Sequence, residues 1–274
     1  MSRGTNSATD PLAGAHVAPV VDALRPAVPN SVIGRVFTLL GAFRDGDEEV
    51  SLAELSRRTG IPKPTAFRLL GELGRWHAVE HTPGGIRLGL RLFELGQLVP
   101  RQRELREAAA PYLTDLLEAT QETVHLAVPD GLEVVYVQKM ENRRSPTVAS
   151  RVGGRMPMYC TGVGKVLMAF GPAERLTAVL ESKLARLTPR TVVAPGLLRR
   201  ELDRVREQGV ATEHEESSVG TACVAAPVLG PDGTAVAAIS ITGWATRLDP
   251  DRLAPAVRTA AIGLSRALRT SPLS

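Results

Sequence analysis

Residues 51–88 read SLAELSRRTGIPKPTAFRLLGELGRWHAVEHTPGGIRL, and the order of signals in this stretch decides the N-terminal fold. Ser51 precedes Glu54 by three positions, a capping box in which hydroxyl and carboxylate satisfy the free N–H groups at a helix start. That helix buries Leu52 and Leu55 and stops at Thr59-Gly60, where glycine supplies the left-handed turn. Pro62 and Pro64 follow; a proline in the first helical turn loses nothing, because the N–H it lacks has no partner there. The next helix, over about 64–74, buries Ala66, Leu69, Leu70 and Leu73. Val79-Glu80-His81-Thr82 and Ile86-Arg87-Leu88 then alternate about Pro83-Gly84-Gly85, as two short strands around a tight turn. Upstream, Val32, Val36, Leu39, Leu40 and Phe43 recur at helical spacing over 31–45, and the polar run 45–49 ends that helix. Three helices followed by a hairpin make a winged helix-turn-helix.

Composition fits that reading and removes other classes. The chain has 274 residues, 43% apolar and 23% charged, a soluble globular balance with length for one large domain or two ordinary ones. No uncharged apolar run approaches the roughly 18 residues of a membrane span, and the first thirty residues lack the basic start and apolar block of a secretory signal. Cys160 and Cys223 are no disulfide framework and fit a reducing cytoplasm. Charge is unevenly placed: residues 30–55 carry a net −3, residues 56–91 a net +5, and everything from 92 onward only +2. A positive field concentrated on one short segment points toward nucleic acid.

Residues 1–29, with four prolines and no apolar period, are expected to be a flexible tail, and 30–91 the winged domain. Residues 92–120 read as helix interrupted at Pro100, with Leu105, Ala108, Tyr112, Leu113, Leu116 and Leu117 on one face, and are expected to form a linker helix. Between 121 and 274, strand candidates at 123–128, 132–139, 147–150, 210–214, 222–229 and 235–242 are interleaved with helices at about 161–171, 173–182, 197–208 and 250–269. Asp130-Gly131 and Pro231-Asp232-Gly233 are hairpin-type turns. The C-terminal part is expected to be an α+β domain.

With its leucines turned inward, the helix over 64–74 presents Pro64, Phe67, Arg68 and Gly71 outward, flanked by Thr65 and Glu72. In a helix-turn-helix that face enters the major groove. Arg68 is placed to fork onto a guanine and Phe67 to pack on thymine methyls. Lys63, Thr65 and the Arg57–Arg58 pair are better placed for phosphates, and Arg87 on the wing for a phosphate or the neighbouring minor groove. The competing reading is a solvated charged face on a winged helix that binds protein; agreement of charge, capping, turn and wing favours double-stranded DNA. RNA is disfavoured, since no stretch alternates the ten aromatic residues with basic ones as a stacking surface would.

The stretch from Ser51 to Leu70 resembles the N-terminal winged helix of IclR-type bacterial transcription regulators. Arg151-Val-Gly-Gly-Arg-Met-Pro-Met-Tyr-Cys-Thr-Gly-Val-Gly-Lys165, Gly209-Val-Ala-Thr-Glu-His-Glu-Glu216, Gly220-Thr-Ala-Cys-Val-Ala-Ala-Pro-Val228 and Ala237-Ala-Ile-Ser-Ile-Thr242 are similar to further segments of that family, in its order, so the resemblance covers about residues 30–270. It implies a GAF-like effector-binding domain over 121–274, a homodimer or tetramer, and a small organic or aromatic acid as effector. Carried over position by position, it implies Thr161, Gly162, Glu213, Cys223, Ser240 and Thr242 as the effector site. Glu213 stands where that family usually has Asp, Thr242 where Ser is common, Cys160 and Gly162 where Ala is frequent, and Pro64 where the recognition helix often has Ser. The residues themselves are consistent with such a pocket. N–H groups at the helix start after Thr161 attract carboxylates, and Ser240 and Thr242, two apart on a strand, share a face, although ordinary strand polarity explains that pair equally. The expected protein is a cytoplasmic, ligand-responsive repressor on operator DNA, without catalytic residues, cofactor, metal or membrane partner.

Three other constellations are weaker. Gly164-Lys165 lacks the rest of a phosphate-binding loop, since Tyr159 and Val166 replace the Gly and Ser/Thr it needs. Cys223 with His214 and Glu213 or Glu215 offers nucleophile, base and orienter for an enzyme, but a small Cys on an apolar strand is ordinarily core or pocket lining. His125, Cys160, His214 and Cys223 are metal-ligand types without ligand spacing, and His125, amid Val124 and Leu126, reads as a satisfied strand histidine.

Overall fold

In a computed structural model of the protein, the described residues are 31–142, 148 and 150–270. The tail expected over 1–29 lies outside them, as does part of the strand expected at 147–150; Val148 and Ser150 lie in irregular backbone.

Helix α1 (Val32–Leu40) is capped by Ser31, whose hydroxyl accepts from the Gly34 N–H at 3.0 Å. It ends at Gly41, short of the stripe's last member Phe43, and Val32 is exposed rather than buried. Helix α2 (Leu52–Thr59) starts with the Ser51 hydroxyl accepting from the Glu54 N–H at 3.2 Å, which is half of the expected box. The Glu54 carboxylate turns instead to Arg57 and Arg58. Gly60, at φ +69, closes α2. Helix α3 (Lys63–Arg75) carries Pro64 in its first turn and buries Ala66, Leu69, Leu70 and Leu73, the four predicted positions. Strands β1 (Val79–Thr82) and β2 (Gly85–Leu88) pair antiparallel as the wing, and Val50 bridges to Ile86. Leu39, Val50, Leu55, Ile61, Val79 and Ile86 close one core with the inner face of α3, each such side chain stabilising by about 1.5–3 kcal/mol.

Arg58 ties this domain together. It pairs with Asp47 and Glu54 and donates to the Ala42 carbonyl at 3.0 Å, pinning the α1–α2 loop to α2. Arg58→Ala is expected to lower the unfolding free energy of the winged domain by about 1–3 kcal/mol, because two carboxylates and a carbonyl lose their donor. A denaturant titration reads this directly, and an unchanged midpoint would count against the clamp.

Helix α4 (Leu90–Gln97) and helix α5 (Pro100–Thr120) follow the wing, then β3 (Thr123–Asp130), β4 (Glu133–Met140), β5 (Arg155–Pro157) and a 3-10 turn at Met158–Cys160. Next come α6 (Gly162–Ala169), α7 (Ala173–Glu181), α8 (Pro195–Gln208), β6 (Ala211–His214), β7 (Thr221–Leu229), β8 (Ala235–Trp244) and α9 (Pro250–Thr270). The sheet order is β5-β4-β3-β8-β7-β6, with every neighbouring pair antiparallel. Strand β5 is too short to show a period in the sequence.

Alternation along the strands sorts the two faces. Val124, Leu126, Val224, Ile239 and Ile241 meet Leu113 of α5 and Leu264 of α9. Ala127, Ala225 and Ala238 meet Val166 and Leu167 of α6 and Leu202 of α8. Helix α5, expected as a linker, is thus also a wall of the C-terminal domain: Leu105, Ala109, Leu113 and Leu116 are buried in that core.

Candidate functional site

The outer face of α3 is open. Lys63, Pro64, Phe67, Arg68 and Gly71 are exposed, with Thr65 half-buried beside them. Phe67 is 65% exposed, unusual for so large an apolar side chain and explained if the face has a partner. Most surrounding arginines have an acid of their own: Arg57 has Glu54, Arg75 has Glu72 and Arg87 has Glu80. Arg57 and Arg58 together hold the Glu54 carboxyl down at about 2. Arg68 makes no ion pair among the described residues. The phosphate role expected of Arg58 needs correction. At 12% side-chain exposure it is engaged by Asp47, Glu54 and the Ala42 carbonyl, whereas Arg57 (71%) and Arg87 (54%) lie in solvent.

The second site lies between α6 and the sheet. Register brings Glu213 beside Cys223, Cys223 beside Thr242, and His125 beside Ser240. The described residues line a partly open cavity of about 40 Å³, with Thr161, Gly162, Glu213, Cys223 and Thr242 joined by His125, Tyr136, Ser150, Met156 and Thr221. Ser240 does not line it; its hydroxyl sits 3.4 Å from His125 Nδ1, at the cavity's margin. Thr161 caps α6: its hydroxyl accepts from the Gly164 N–H at 3.1 Å and donates to the Pro157 carbonyl at 3.1 Å. The Thr161 proton is therefore committed, and the helix-start groups bordering the cavity belong to Gly162 and Val163. A Cβ on Gly162 would lie 2.9 Å from Cys223 Sγ, so the first turn of α6 sits directly on β7.

Glu213 is 3% exposed, and its Oε1 accepts from the backbone N–H groups of Glu216 and Ser217, the latter at 3.0 Å. Burial pushes its carboxyl up to about 7 against the lowering effect of those amides. His125 binds the Ser150 hydroxyl through Nε2 at 2.7 Å, and its ring centroid lies 5.0 Å from that of Tyr136. Burial, with the Lys139 charge, pushes His125 down to about 3, so it is neutral. Behind the cavity, the fully buried Lys165 pairs with Glu201 of α8 at 2.6 Å and with Glu216.

Sequence reasoning missed His125, Tyr136 and Ser150 as cavity residues. The sequence read His125 as a satisfied strand histidine, and only the pairing of β3 with β8 places it beside Ser240. The enzyme constellation does not assemble. His214 alternates with Glu213 on β6 and is half-exposed on the opposite face, 3.8 Å from Glu215. Burial, with Glu213 nearby, pushes the Cys223 thiol up to about 12, the reverse of nucleophile activation. Nor do His125, Cys160, His214 and Cys223 gather: among the described residues, no three His, Cys, Asp or Glu side chains are grouped to hold a metal ion. No helix among the described residues is long and apolar enough to cross a membrane.

A winged helix with an open recognition face, followed by a mixed domain with its own core, is the build of a DNA-binding transcriptional regulator. Residues 32–83 match the IclR helix-turn-helix domain, and residues 97–266 match the C-terminal domain of the bacterial transcriptional regulator IclR. The chain belongs to the IclR family of transcriptional regulators. The HTH-type transcriptional regulator XynR of Escherichia coli (strain K12) is 34% identical over 242 residues, 86% of this chain and 96% of that protein. The HTH-type transcriptional repressor AllR of Klebsiella pneumoniae is 33% identical over 238 residues, 81% of this chain and 84% of that protein. These relatives are regulators, not enzymes. An IclR homolog from Microbacterium hydrocarbonoxydans, solved in complex with 4-hydroxybenzoate, superposes with a TM-score of 0.80 at 28% identity, covering 88% of this chain and all (100%) of that one.

Proposed function

We propose that this chain is a cytoplasmic, effector-responsive repressor, a homodimer or tetramer whose grip on an operator changes when a small organic or aromatic acid occupies the cavity. The winged domain (30–91) reads DNA through Lys63, Pro64, Thr65, Phe67 and Arg68, with Arg57 and Arg87 on phosphates. Residues 92–120 join it to the effector domain (121–274), where Thr161, Gly162, Glu213, Cys223 and Thr242 border the ligand and Ser240 orients His125. The observation that carries the reading is Arg68: an exposed guanidinium without an acid partner, beside an exposed Phe67, on the helix face that a winged helix lays in the major groove.

Two further observations support it. AllR is named a repressor, and the Microbacterium homolog carries an aromatic acid. The cavity of about 40 Å³ has room for water, whereas roughly 150 Å³ accommodates a benzene ring. An aromatic acid therefore fits only an arrangement with the walls moved apart, and a ligand that binds one arrangement better shifts the population toward it. Self-association is supported by Ile33 and Phe37 on α1 and Leu90 and Phe93 on α4, which are 63–69% exposed.

Gel-shift titration against the chain's own upstream DNA, with and without benzoate-type acids, tests the whole reading. Affinity is expected to fall steeply with salt as released counterions return to the phosphates; salt-independent or absent binding would favour a protein partner. Arg68→Ala is expected to weaken operator binding by about 1–3 kcal/mol and to relax base preference. Unchanged discrimination in that variant would remove Arg68 from the reading set.

A further inference from the structure

The cavity's charge balance has a consequence for any acid that enters it. This step rests on the reading above that the effector is an acid. Among the described residues, no Lys or Arg lines the cavity; apart from Glu213, the polar groups they present are uncharged hydroxyls and a neutral His125. Of the nearby cations among the described residues, Lys165 is already held by Glu216 and Glu201 and Lys139 by Glu141, and the Glu216 N–H is bound to the Glu213 carboxylate. Glu201 and Glu216 thus share the Lys165 ammonium, and Glu213 lies near it without contact. Glu216 Oε2 is buried with only the Val192 N–H close to it, outside ordinary hydrogen-bond geometry, so this side of the site shows no spare donor for a further carboxylate among the described residues. A ligand carboxylate would add a fourth anion where the interior screens charge poorly, and carboxylates that close together do not all ionise.

We propose that an acidic effector binds together with one proton, taken from solvent and held on Glu213, so that the regulator's response depends on pH as well as on effector concentration. The protonated Glu213 then donates to the ligand carboxylate, doing with a neutral carboxyl what a lysine or arginine would otherwise do, while its Oε1 keeps the two backbone N–H groups that fix its position.

The groups packed around Glu213 leave it as the natural holder. From the turn after β6 it faces Glu216, from α6 Lys165, from α8 behind that lysine Glu201, from β7 Cys223, from the 3-10 turn Cys160, and from β4 Tyr136. Burial pushes both thiols and the Tyr136 hydroxyl far upward, and His125 far downward, so none of them changes charge near neutrality. Glu216 is raised by burial too, but Lys165 pulls it the other way by charge and by a direct hydrogen bond. Glu215 is turned toward Arg190, and His214 points away. Glu213, pushed up to about 7 by burial, has no cation in contact among the described residues and borders the cavity where a ligand would sit.

The test uses the full-length protein with 4-hydroxybenzoate and benzoate as probes. Calorimetric titrations would run between about pH 6 and 8.5, in two buffers of different ionisation heat, beside melting curves of the ligand-free protein. Affinity is expected to weaken about tenfold per pH unit above 7 and to level off below it, with close to one proton taken up per ligand at the alkaline end. Glu213→Gln is expected to flatten the profile and abolish the uptake. In the ligand-free arm the sign is fixed by the raised carboxyl. Its stabilising effect is complete below the unfolded value and is lost as pH rises through about 7. Wild type should therefore lose melting temperature relative to Glu213→Gln between about pH 6 and about 7 and run parallel to it above. Binding with no pH slope, or a slope that persists in Glu213→Gln, overturns the proposal alone. No binding of either acid, with the melting difference intact, defeats the acid-sensing reading and the proposal with it.

Discussion

Lys165→Met is expected to lower the stability of the C-terminal domain by about 3–5 kcal/mol, because it strips the cation from a buried cluster and leaves the carboxylates behind. Lys165 is fully buried and joins α6 to both α8, through Glu201, and the β6–β7 turn, through Glu216. Burial works to lower its pKa, but the two glutamates more than offset that, so it stays charged. Methionine fills much of the same volume, so the loss reports charge rather than packing. The partner experiment is the triple variant Lys165→Met, Glu201→Gln, Glu216→Gln, in which no charge is stranded; it should recover most of the loss, since a buried ion cluster replaced as a whole is often close to neutral. Urea unfolding followed by circular dichroism measures both. A single variant within about 1 kcal/mol of wild type would mean that water reaches the two glutamates.

Gly164→Ala is expected to be nearly as damaging, about 3 kcal/mol or more. A Cβ there would lie 2.2 Å from the Met158 carbonyl oxygen and 2.4 Å from the Met158 Cα. Both are backbone atoms, so no rotamer change relieves the overlap. The 3-10 turn at Met158–Cys160 must back away from α6, and the Thr161 cap, which donates to the Pro157 carbonyl, is pulled with it. Soluble yield and thermal melting check this; a variant that melts with wild type would show that the turn can slide at little cost.

The winged domain was largely legible in the sequence because its signals are local. Ser51, Gly60, Pro62 and Pro64 punctuate the chain within a few residues of the helix ends they define, and the period of Ala66, Leu69, Leu70 and Leu73 marks the buried face of α3 by itself. What escaped depends on partners distant in the chain. Arg58 looked like half of a basic pair until Asp47, eleven positions upstream, proved to be its partner. In the C-terminal domain, alternation tells which side of a strand a residue occupies but not which strand lies next to it. Glu213, Cys223 and Thr242 form one row only because β6, β7 and β8 are consecutive neighbours. His125 joins them only because β3 lies against β8. The shortened α1 has a local cause that the apolar stripe could not reveal. Gly41 takes the C-cap position, and the chain then turns so that Asp47 receives Arg58.

Gly162 and Cys223 meet across the α6–β7 contact, where a single methyl on the glycine would press on the sulfur. The two positions therefore share one compartment, and enlarging residue 162 requires the Cys223 side chain to turn aside or shrink. Anyone reshaping this cavity should randomise 162 and 223 as a couple; libraries that vary them one at a time would discard the compatible combinations.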